Sequence, residues 1–425
     1  MWWECGESLH TGAEILVKNY AVRWLVALVR SPRFPILWLG VILGATLFPL
    51  EPSETASPFL CVLCGYEELA ADCILNVGLF LPLGAALRIA GWRPMRVVAV
   101  GSLLSVGVEA AQFFIPGRDS SLSDVVFNTL GTAIGVALAH SVSTWWRPER
   151  HRAEVLSIAG VLSAGSVLGL TGVLLGPAFP NDTYYGGWTP RLGHLEWYGG
   201  RVLQASLGGQ VIPPGALAIS SQVRQQLLSG AAIDVRGRAG PRPSGLAPLF
   251  TIADGHQREI LLLGVDGDDI VYRYRTRAIA SGFRGPEIRA RGALRGIAWR
   301  DPLSVIVRPA DSGYCFRVNA TEHCGLGFTV GAGWALIFGV EAGFLGLKPA
   351  LNFGWLAALF FPFGLWARFG RAFVVAVLLS LGFLLILPSS IGLLPTPATE
   401  LVGALAGFLA GWSSTKARGS FSRLR

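Results

Sequence analysis

Nine apolar runs divide the chain, five before residue 178 and four after residue 326. The runs are Phe34–Leu50, Ala71–Ala90, Val97–Ile115, Asp124–Val142, Val155–Gly176, Phe328–Leu347, Leu351–Ala367, Ala372–Leu387 and Pro397–Trp412. A helix needs roughly 20 mostly apolar residues to cross the hydrocarbon core of a bilayer. The pattern therefore predicts a polytopic α-helical membrane protein with eight or nine spans.

The long polar stretch 178–326 shows strand patterns instead. In Val271–Thr276 tyrosines and arginines alternate, which places them on opposite faces of a strand. Glu259–Gly264 and Ile270–Thr276 flank a turn-rich segment, as the two strands of a hairpin do. Similar alternation occurs in Ala232–Arg238 and Leu303–Arg308. Short strands of this kind predict an all-β insert, a jelly-roll or sandwich.

Within this insert, residues 248–277 resemble the laminin-G and concanavalin-type lectin fold. That resemblance implies a lectin-like domain. Cys315 and Cys324 lie close together in the sequence, which is consistent with a disulfide in an oxidising compartment. A second pair, Cys61 and Cys64, forms a CxxC that is either redox-active or a small disulfide.

Composition agrees with a membrane protein, because 52% of the residues are hydrophobic and only 15% are charged. The net charge is +8, from 35 basic and 27 acidic residues. Many arginines cluster beside apolar runs, where the positive-inside rule explains them. The insert has no basic patch interleaved with aromatic residues, so nucleic acid is not an expected partner. The lipid bilayer is the expected partner.

Basic residues near the span ends predict the orientation. Arg30 and Arg33 precede the first run, and basic clusters follow the second and fourth runs, which places all three on the cytoplasmic side. The fifth span then carries the β insert to the outside of a bacterial inner membrane. Arg368 and Arg371 also favour the inside, which requires either that Phe328–Leu347 is re-entrant or interfacial, or that the rule fails there.

The predicted organisation is a cytoplasmic N-terminal segment, a four-helix membrane unit, a linker with a fifth span, a lectin-like β-sandwich, C-terminal membrane helices and a basic cytoplasmic tail. The corresponding ranges are 1–33, 34–142, 143–177, 178–326, 327–413 and 414–425.

Polar side chains recur near the predicted outer ends of spans two, three and four. Each is costly in a bilayer, by about 2.5–3.5 kcal/mol for a charged residue on insertion scales, and therefore needs a reason. They occur in pairs three or four residues apart, which places both members on the same face of a helix. An arginine lies in the outer turn between spans three and four. The residues are Asp72, Asn76, Glu109, Gln112, Arg118, Asp124 and Asn128. We expect one cluster that opens toward the outer leaflet.

Taken together with nearby glycines and prolines, these residues resemble the VanZ-like family pattern. The matching motifs are Asp72-x3-Asn76-x3-Phe80-x-Pro82-x-Gly84, Glu109-x2-Gln112, Pro116-x-Arg118 and Asp124-x3-Asn128-x2-Gly131-x3-Gly135. They cover residues 34–142. The founding association of the family is with teicoplanin resistance, so the resemblance implies a role in the cell envelope and a polar intramembrane site.

The residues after the insert are either a degenerate second copy of this pattern or a chance similarity between apolar helices. Pro362 and Gly364 repeat the spacing of Pro82 and Gly84, and Glu400, Gly407 and Gly411 repeat that of Asp124, Gly131 and Gly135. Asn352 takes the place of Asp72, whereas Leu381, Leu384 and Ala404 replace Glu109, Gln112 and Asn128. The expected role of this copy is as a packing scaffold, with Glu341 and Glu400 as isolated residues.

Two readings of the polar cluster remain open. Interhelical hydrogen bonds of this kind can simply hold three helices together. Three carboxylates exceed that need, however, and would also suit a ligand, a general acid or base, or a divalent cation. Arg118 would suit a phosphate or carboxylate. No cofactor is expected otherwise. In the insert, Asp266, Asp268 and Asp269 form either a calcium-binding rim or an acidic turn.

The leading functional hypothesis is recognition of a lipid-linked or surface glycan by the polar site together with the lectin-like domain. One rival is a membrane hydrolase or transferase with Glu109 or Asp124 as base, although no nucleophile–histidine pair, P-loop or metal motif supports it. Another is a carrier built from inverted repeats. A structural adaptor is the third.

Overall fold

The computed structural model describes residues 31, 33–48, 68–115, 120–146, 148–193, 195–338 and 346–421. Arg118, the Cys61–Cys64 motif, Glu341 and most of the predicted N-terminal segment lie outside the described residues. The helices before the β domain are α1 Phe34–Leu47, α2 Leu69–Ile89, α3 Pro94–Gln112, α4 Leu122–His140, the short α5 Val142–Trp146, and α6 Arg150–Leu175. We call α1 to α4 the first helix unit.

The first helix unit has an apolar core and a largely apolar exterior. Its buried cluster takes residues from all four helices: Ile42, Phe80, Leu83, Leu87, Val97 and Val136. Large apolar side chains such as Ile36, Leu103 and Val126 are exposed on its outer faces. Exposed apolar surface on that scale suits lipid contact and would be a liability in water.

Six described helices are long and apolar enough to cross a membrane. They are α2, α3, α4 and α6 in the N-terminal part, and Lys348–Trp366 and Arg371–Ser390 after the β domain. Helix α1 is apolar but has only 14 residues. These helices confirm the prediction of several membrane-compatible segments.

The region between α6 and the C-terminal helices is a two-sheet β domain. Its strands are β1 Tyr185–Trp188, β2 Arg201–Leu207, β3 Gln210–Val211, β4 Gly215–Ala216, β5 Ile233–Arg238, β6 Ala247–Ala253, β7 Glu259–Asp266, β8 Asp269–Tyr274, β9 Ile288–Ala290, β10 Pro302–Pro309, β11 Tyr314–Val318 and β12 Thr321–Leu326. Two short helices, α7 Ser220–Leu228 and α8 Arg277–Ala280, interrupt them. All strand pairings are antiparallel.

One sheet has the order β4-β1-β6-β7-β8-β9 and the other β12-β11-β10-β5-β2-β3. Buried aromatic residues connect them, because Tyr272 of β8 lies 5.4 Å from Tyr314 and 6.1 Å from Phe316, measured between ring centroids. The alternation of Val271–Thr276 is therefore confirmed, with tyrosines inside and Arg273 paired to Glu287. The predicted hairpin is β7–β8, and the predicted disulfide joins Cys315 to Cys324 across β11 and β12.

The described C-terminal helices are a 3-10 helix Val330–Trp334, α9 Ala335–Phe338, α10 Lys348–Trp366, α11 Arg371–Leu381, a π-helical turn Gly382–Ile386, α12 Leu387–Ser390 and α13 Ala398–Phe421. The predicted run Phe328–Leu347 is thus no long helix in its described part: Val330–Trp334 is a 3-10 helix, Ala335–Phe338 is one α-helical turn, and residues 346–347 are again 3-10. Residues 339–345 lie outside the described residues. The motif residues Pro82 and Pro362 lie inside α2 and α10.

Candidate functional site

Helices α2 and α4 run parallel and in close contact, and glycines make this approach feasible. A Cβ atom on Gly135 would collide with the Leu81 carbonyl and lie 2.7 Å from the amide nitrogen of Ala85. A Cβ atom on Gly131 would likewise collide with the carbonyl of Val77. Gly131 precedes Gly135 by four residues, and Val77 precedes Leu81 by four. Because the register advances in the same direction on both helices, the N-terminal ends of α2 and α4 lie side by side.

That alignment brings two carboxylates together. Asp72 lies in the first turn of α2 and Asp124 in the first turn of α4. The two interact electrostatically, and the Asn76 side chain hydrogen-bonds with Asp124. Ser123 Oγ also donates to Asp124 Oδ1, at 3.4 Å. All three predicted residues are only half-buried, so groups outside the first helix unit can reach this pair.

Glu109 is held more tightly, in the last turn of α3. Its side chain is buried, and Oε2 accepts a hydrogen bond of 2.8 Å from the backbone N–H of Ser121, just before α4. The carbonyl of Glu109 accepts another from Ser120 Oγ at 2.9 Å. Glu109 also interacts electrostatically with Asp124. Its carboxylate therefore fixes the connection between α3 and α4 beside the Asp72–Asp124 pair.

The two amides point to other helices. Gln112 Nε2 donates to the carbonyl of Thr46 on α1 at 2.9 Å, and Asn128 Nδ2 donates to Ser105 Oγ on α3 at 2.9 Å. Each leaves a buried carbonyl oxygen, Gln112 Oε1 and Asn128 Oδ1, without a hydrogen-bond donor among the described residues. Burial of such an acceptor without a partner costs about 1–3 kcal/mol.

The predicted polar residues therefore form several neighbouring groups, linked by hydrogen bonds and electrostatic interactions, where the sequence suggested one cluster. Asp72, Asn76 and Asp124 meet directly, Glu109 is adjacent, and the amides of Gln112 and Asn128 link α3 to α1 and α4. Sequence reasoning missed the partners Thr46, Ser105, Ser120 and Ser121. Only Ser105 had a signal, because it precedes Glu109 by one helical turn and shares its face.

The predicted acidic rim of the β domain is occupied by arginines. Asp266 and Asp269 form ion pairs of 2.7 and 3.1 Å with Arg289, and Asp268 pairs with Arg242 at 2.9 Å. Within the described residues, no group of three or more His, Cys, Asp or Glu side chains is arranged to hold a metal ion. These contacts favour the acidic-turn reading, and a divalent cation elsewhere stays a prediction.

Three aromatic residues of the β domain, Trp188, Trp197 and Tyr198, have rings on which a sugar could stack, and two of them make hydrogen bonds within the domain. Trp188 donates from Nε1 to the carbonyl of Ile212 at 2.9 Å, and the buried Tyr198 hydroxyl accepts from the Gly240 N–H. Trp197 differs, because 58% of it is exposed. The guanidinium of Arg191 lies 5.2 Å from the centroid of its ring.

These features define a polytopic membrane protein with a two-sheet β domain and a carboxylate pair at one end of its first helix unit. Residues 35–144 match the family described as VanZ/LLP1. The match covers 110 of the 425 residues and coincides with the first helix unit. It supports the VanZ-like resemblance inferred from the motifs. Neither a curated protein nor a solved structure matches the chain.

Proposed function

We propose that this protein acts in the bacterial cell envelope, where its first helix unit recognises the head group of a lipid-linked or surface glycan. The observation that carries the proposal is the half-buried pair Asp72 and Asp124, which two apolar, glycine-packed helices hold together. Two carboxylates at one point in a membrane domain repel each other. A ligand that donates hydrogen bonds to them offsets this repulsion.

The β domain extends the same proposal. On the expected orientation the β domain and the Asp72–Asp124 pair both face the outside of the cytoplasm, where such a glycan lies. Exposed Trp197 offers the aromatic face on which a sugar ring stacks. A lectin-like, jelly-roll role for the two sheets and a link to teicoplanin resistance belong to this proposal.

Native mass spectrometry of the purified full-length protein tests it. We expect an envelope lipid to co-purify with the wild type and to be lost from Asp124→Asn. Glu154→Gln, which removes a partly exposed carboxylate of α6, serves as the matched control and should retain the lipid. Lipid retained equally by Asp124→Asn, with all variants folded, would support helix pinning as the role of the carboxylates.

A cellular measurement tests the resistance part separately. Expression of the wild type in a sensitive host should raise the inhibitory concentration of teicoplanin, and Asp124→Asn should not. Equal resistance with both forms would detach that phenotype from the intramembrane site.

A further inference from the structure

A cavity lies where the β domain meets the start of helix α10. Its volume is about 180 Å³, several times the roughly 30 Å³ that one water molecule occupies. Strands β9 and β12, the end strands of the two sheets, contact each other and form two of its walls. The first residue of α10 forms the third. The described residues that line the cavity are Glu287, Ile288, Arg289, Arg291, Gly325, Leu326, Gly327 and Lys348.

Three of the lining side chains are cations. Lys348 interacts electrostatically with Arg289 and Arg291, so the three positive charges lie close together. The only carboxylate in the described lining is Glu287, and two arginines already bind it. Arg273 donates to its Oε2 at 2.9 Å, and Arg289 donates to its Oε1 at 3.0 Å. Because like charges at close range repel each other, an anion in the cavity would stabilise this arrangement.

Arg291 and Lys348 are the cations that can donate directly to a ligand. The Arg289 guanidinium forms ion pairs with three carboxylates and therefore contributes mainly its charge. Arg291 is exposed, and a guanidinium has five N–H donors, whereas the Lys348 ammonium has three. A phosphate group accepts several such hydrogen bonds at once, and charge-assisted bonds of this kind are stronger than neutral ones. The lining thus suits a phosphate.

A buried network around Glu400 of α13, which we call the Glu400 network, fixes the walls of the cavity. Glu400 is 1% exposed, and its Oε1 accepts hydrogen bonds from Asn352 Nδ2 at 2.8 Å and from the Thr329 hydroxyl at 2.5 Å. Its Oε2 accepts one from the Gly331 N–H at 3.0 Å. Lys348 precedes Asn352 by one helical turn, and Thr329 follows β12 closely, so the network ties α10 to β12. Glu400 is therefore not the isolated residue that its sequence context suggested.

Close packing of α13 on α10 brings Glu400 to the first turns of α10. A Cβ atom on Gly403 would lie 2.6 Å from the Phe353 carbonyl oxygen, and one on Gly411 would collide with the Phe361 carbonyl. The glycines of α4 approach α2 in the same way. Glu400 precedes Gly403 by about one turn, so its carboxylate reaches the start of α10. The cavity wall that carries Lys348 is thus held in place by packing as well as by hydrogen bonds.

The position of the cavity in the chain indicates where its anion comes from. Lys348 is the first residue of a helix that is long and apolar enough to cross a membrane, and Gly327 directly follows the last strand of the β domain. The cavity therefore lies at the boundary between a membrane-compatible helix and a polar domain. Phospholipid head groups lie at that level of a bilayer, and basic pockets there bind anionic ones. Residues 271–300 around β9 include eight arginines and one acidic residue.

We propose that this cavity binds the phosphate group of an anionic phospholipid, with Arg291 and Lys348 donating hydrogen bonds to the phosphate oxygens. Arg289 adds positive charge, and Gly325 and Gly327 leave the β12 side of the cavity open to the head group. The site uses none of the residues on which the proposed function rests, and it does not depend on that function.

Native mass spectrometry of the full-length protein in dodecyl maltoside tests the site. Dioctanoyl phosphatidylglycerol has a net negative charge, whereas in dioctanoyl phosphatidylcholine a cation balances the same phosphate. We expect the wild type to bind one phosphatidylglycerol more tightly than it binds phosphatidylcholine. Arg291→Gln combined with Lys348→Gln should weaken this binding at least about tenfold, which corresponds to the loss of one charge-assisted hydrogen bond.

Control variants separate the site from the general charge of the β domain. Arg236→Gln combined with Arg300→Gln removes the same two charges from exposed positions outside the cavity lining, and should leave the affinity unchanged. Lys348→Arg keeps the charge and should bind as the wild type does. If the double variant at the cavity does not fold, Arg291→Gln alone, at an exposed position, supplies the comparison. Equal affinity of the wild type and the cavity variant would overturn the proposal, and so would equal affinity for the two lipids.

Inorganic phosphate distinguishes a lipid head group from a soluble phosphate compound, because it presents the same oxygens without acyl chains. We expect phosphate at the concentration of the lipid not to displace bound phosphatidylglycerol. Displacement at that concentration would overturn the lipid as the source of the anion.

Discussion

Asp254 closes the loop between β6 and β7 and is fully shielded from solvent. Burial alone would raise the pKa of this carboxyl, but hydrogen bonds from the backbone N–H groups of Arg258 and His256 and from the Arg258 guanidinium lower it overall. Because the folded pKa lies below the unfolded value, the stabilisation is present above about pH 4 and is lost as the pH falls through the folded pKa.

We therefore expect Asp254→Asn to loosen the β6–β7 hairpin. Charge-assisted hydrogen bonds contribute roughly 1.5–3 kcal/mol each, so amides in residues 247–266 should exchange at least about tenfold faster at pH 7. Hydrogen exchange of the full-length protein measures this, with Asp311→Asn in an exposed loop as control. The difference between wild type and variant should shrink as acid protonates Asp254. A pH-independent difference would contradict the charge-based explanation.

At the scale of single residues, the sequence predicts the position of a side chain well where the pattern involves only residues close together in the chain. Tyr272, Tyr274 and the pair Cys315 and Cys324 lie where period-two alternation and short spacing place them. Partners from distant segments were not predictable. Gln112 bonds to the Thr46 carbonyl across 66 residues, and Glu400 bonds to Thr329 across 71. No spacing rule relates such residues, because only the packed helices bring them together.

Among the elements, the contact between α2 and α4 depends on glycines, whose lack of a side chain lets the two backbones approach each other. Replacement of Gly135 by leucine would drive atoms into the backbone of α2 near Leu81 and Ala85. Overpacking of this kind costs about 1–3 kcal/mol, and more where backbone must move. We expect Gly135→Leu to lower the melting temperature in detergent, as followed by size-exclusion chromatography after heating.

Gly78 supplies the matched control on α2, because no atom lies within 4 Å of its added Cβ. Gly78→Leu should leave the melting temperature close to that of the wild type. Gly411→Leu should behave like Gly135→Leu, since α13 repeats the contact with α10. Equal tolerance at Gly78 and Gly135 would mean that the two helices are not in close contact.

Element boundaries were predictable within a few residues, but not element identity everywhere. The apolar run Ala71–Ala90 indicated α2, and the helix spans Leu69–Ile89. The apolar run Phe328–Leu347 looked like another span by composition, yet its described part is a 3-10 turn followed by a single α-helical turn. Hydropathy cannot distinguish a segment that crosses the membrane from one that packs among other helices.

At the scale of the whole molecule, the Glu400 network bears on the number of crossings. Thr329 and Asn352 both bond to this carboxylate, so these two residues lie side by side. We therefore predict that the segment that joins them makes no net crossing of the bilayer. Three longer described helices follow the β domain: Lys348–Trp366 and Arg371–Ser390, which are long and apolar enough to cross a membrane, and Ala398–Phe421, which overlaps the predicted span Pro397–Trp412. If the 14-residue α1 also crosses, as the sequence predicts, five crossings precede the β domain. We therefore predict eight spans in total and both termini in the cytoplasm.

This count also satisfies the charges that the sequence alone left in conflict. On this predicted topology, Arg368 and Arg371 follow one crossing from the outside and lie on the cytoplasmic side, where the positive-inside rule favours them. On the same topology, helices α2 and α10 both run inward. A carrier of inverted halves would require the opposite.

Paired cysteines and a reporter fusion test this topology in intact cells. With the four cysteines outside the β domain changed to serine, Ser312→Cys in the β10–β11 loop should react with a membrane-impermeant maleimide. Ser143→Cys on α5 should react only after permeabilisation, and green fluorescent protein fused to the C-terminus should fluoresce. A C-terminus found outside would mean that residues 329–347 cross the membrane. Thr329 and Asn352 would then lie on opposite sides of the bilayer, and Glu400 could not bond to both.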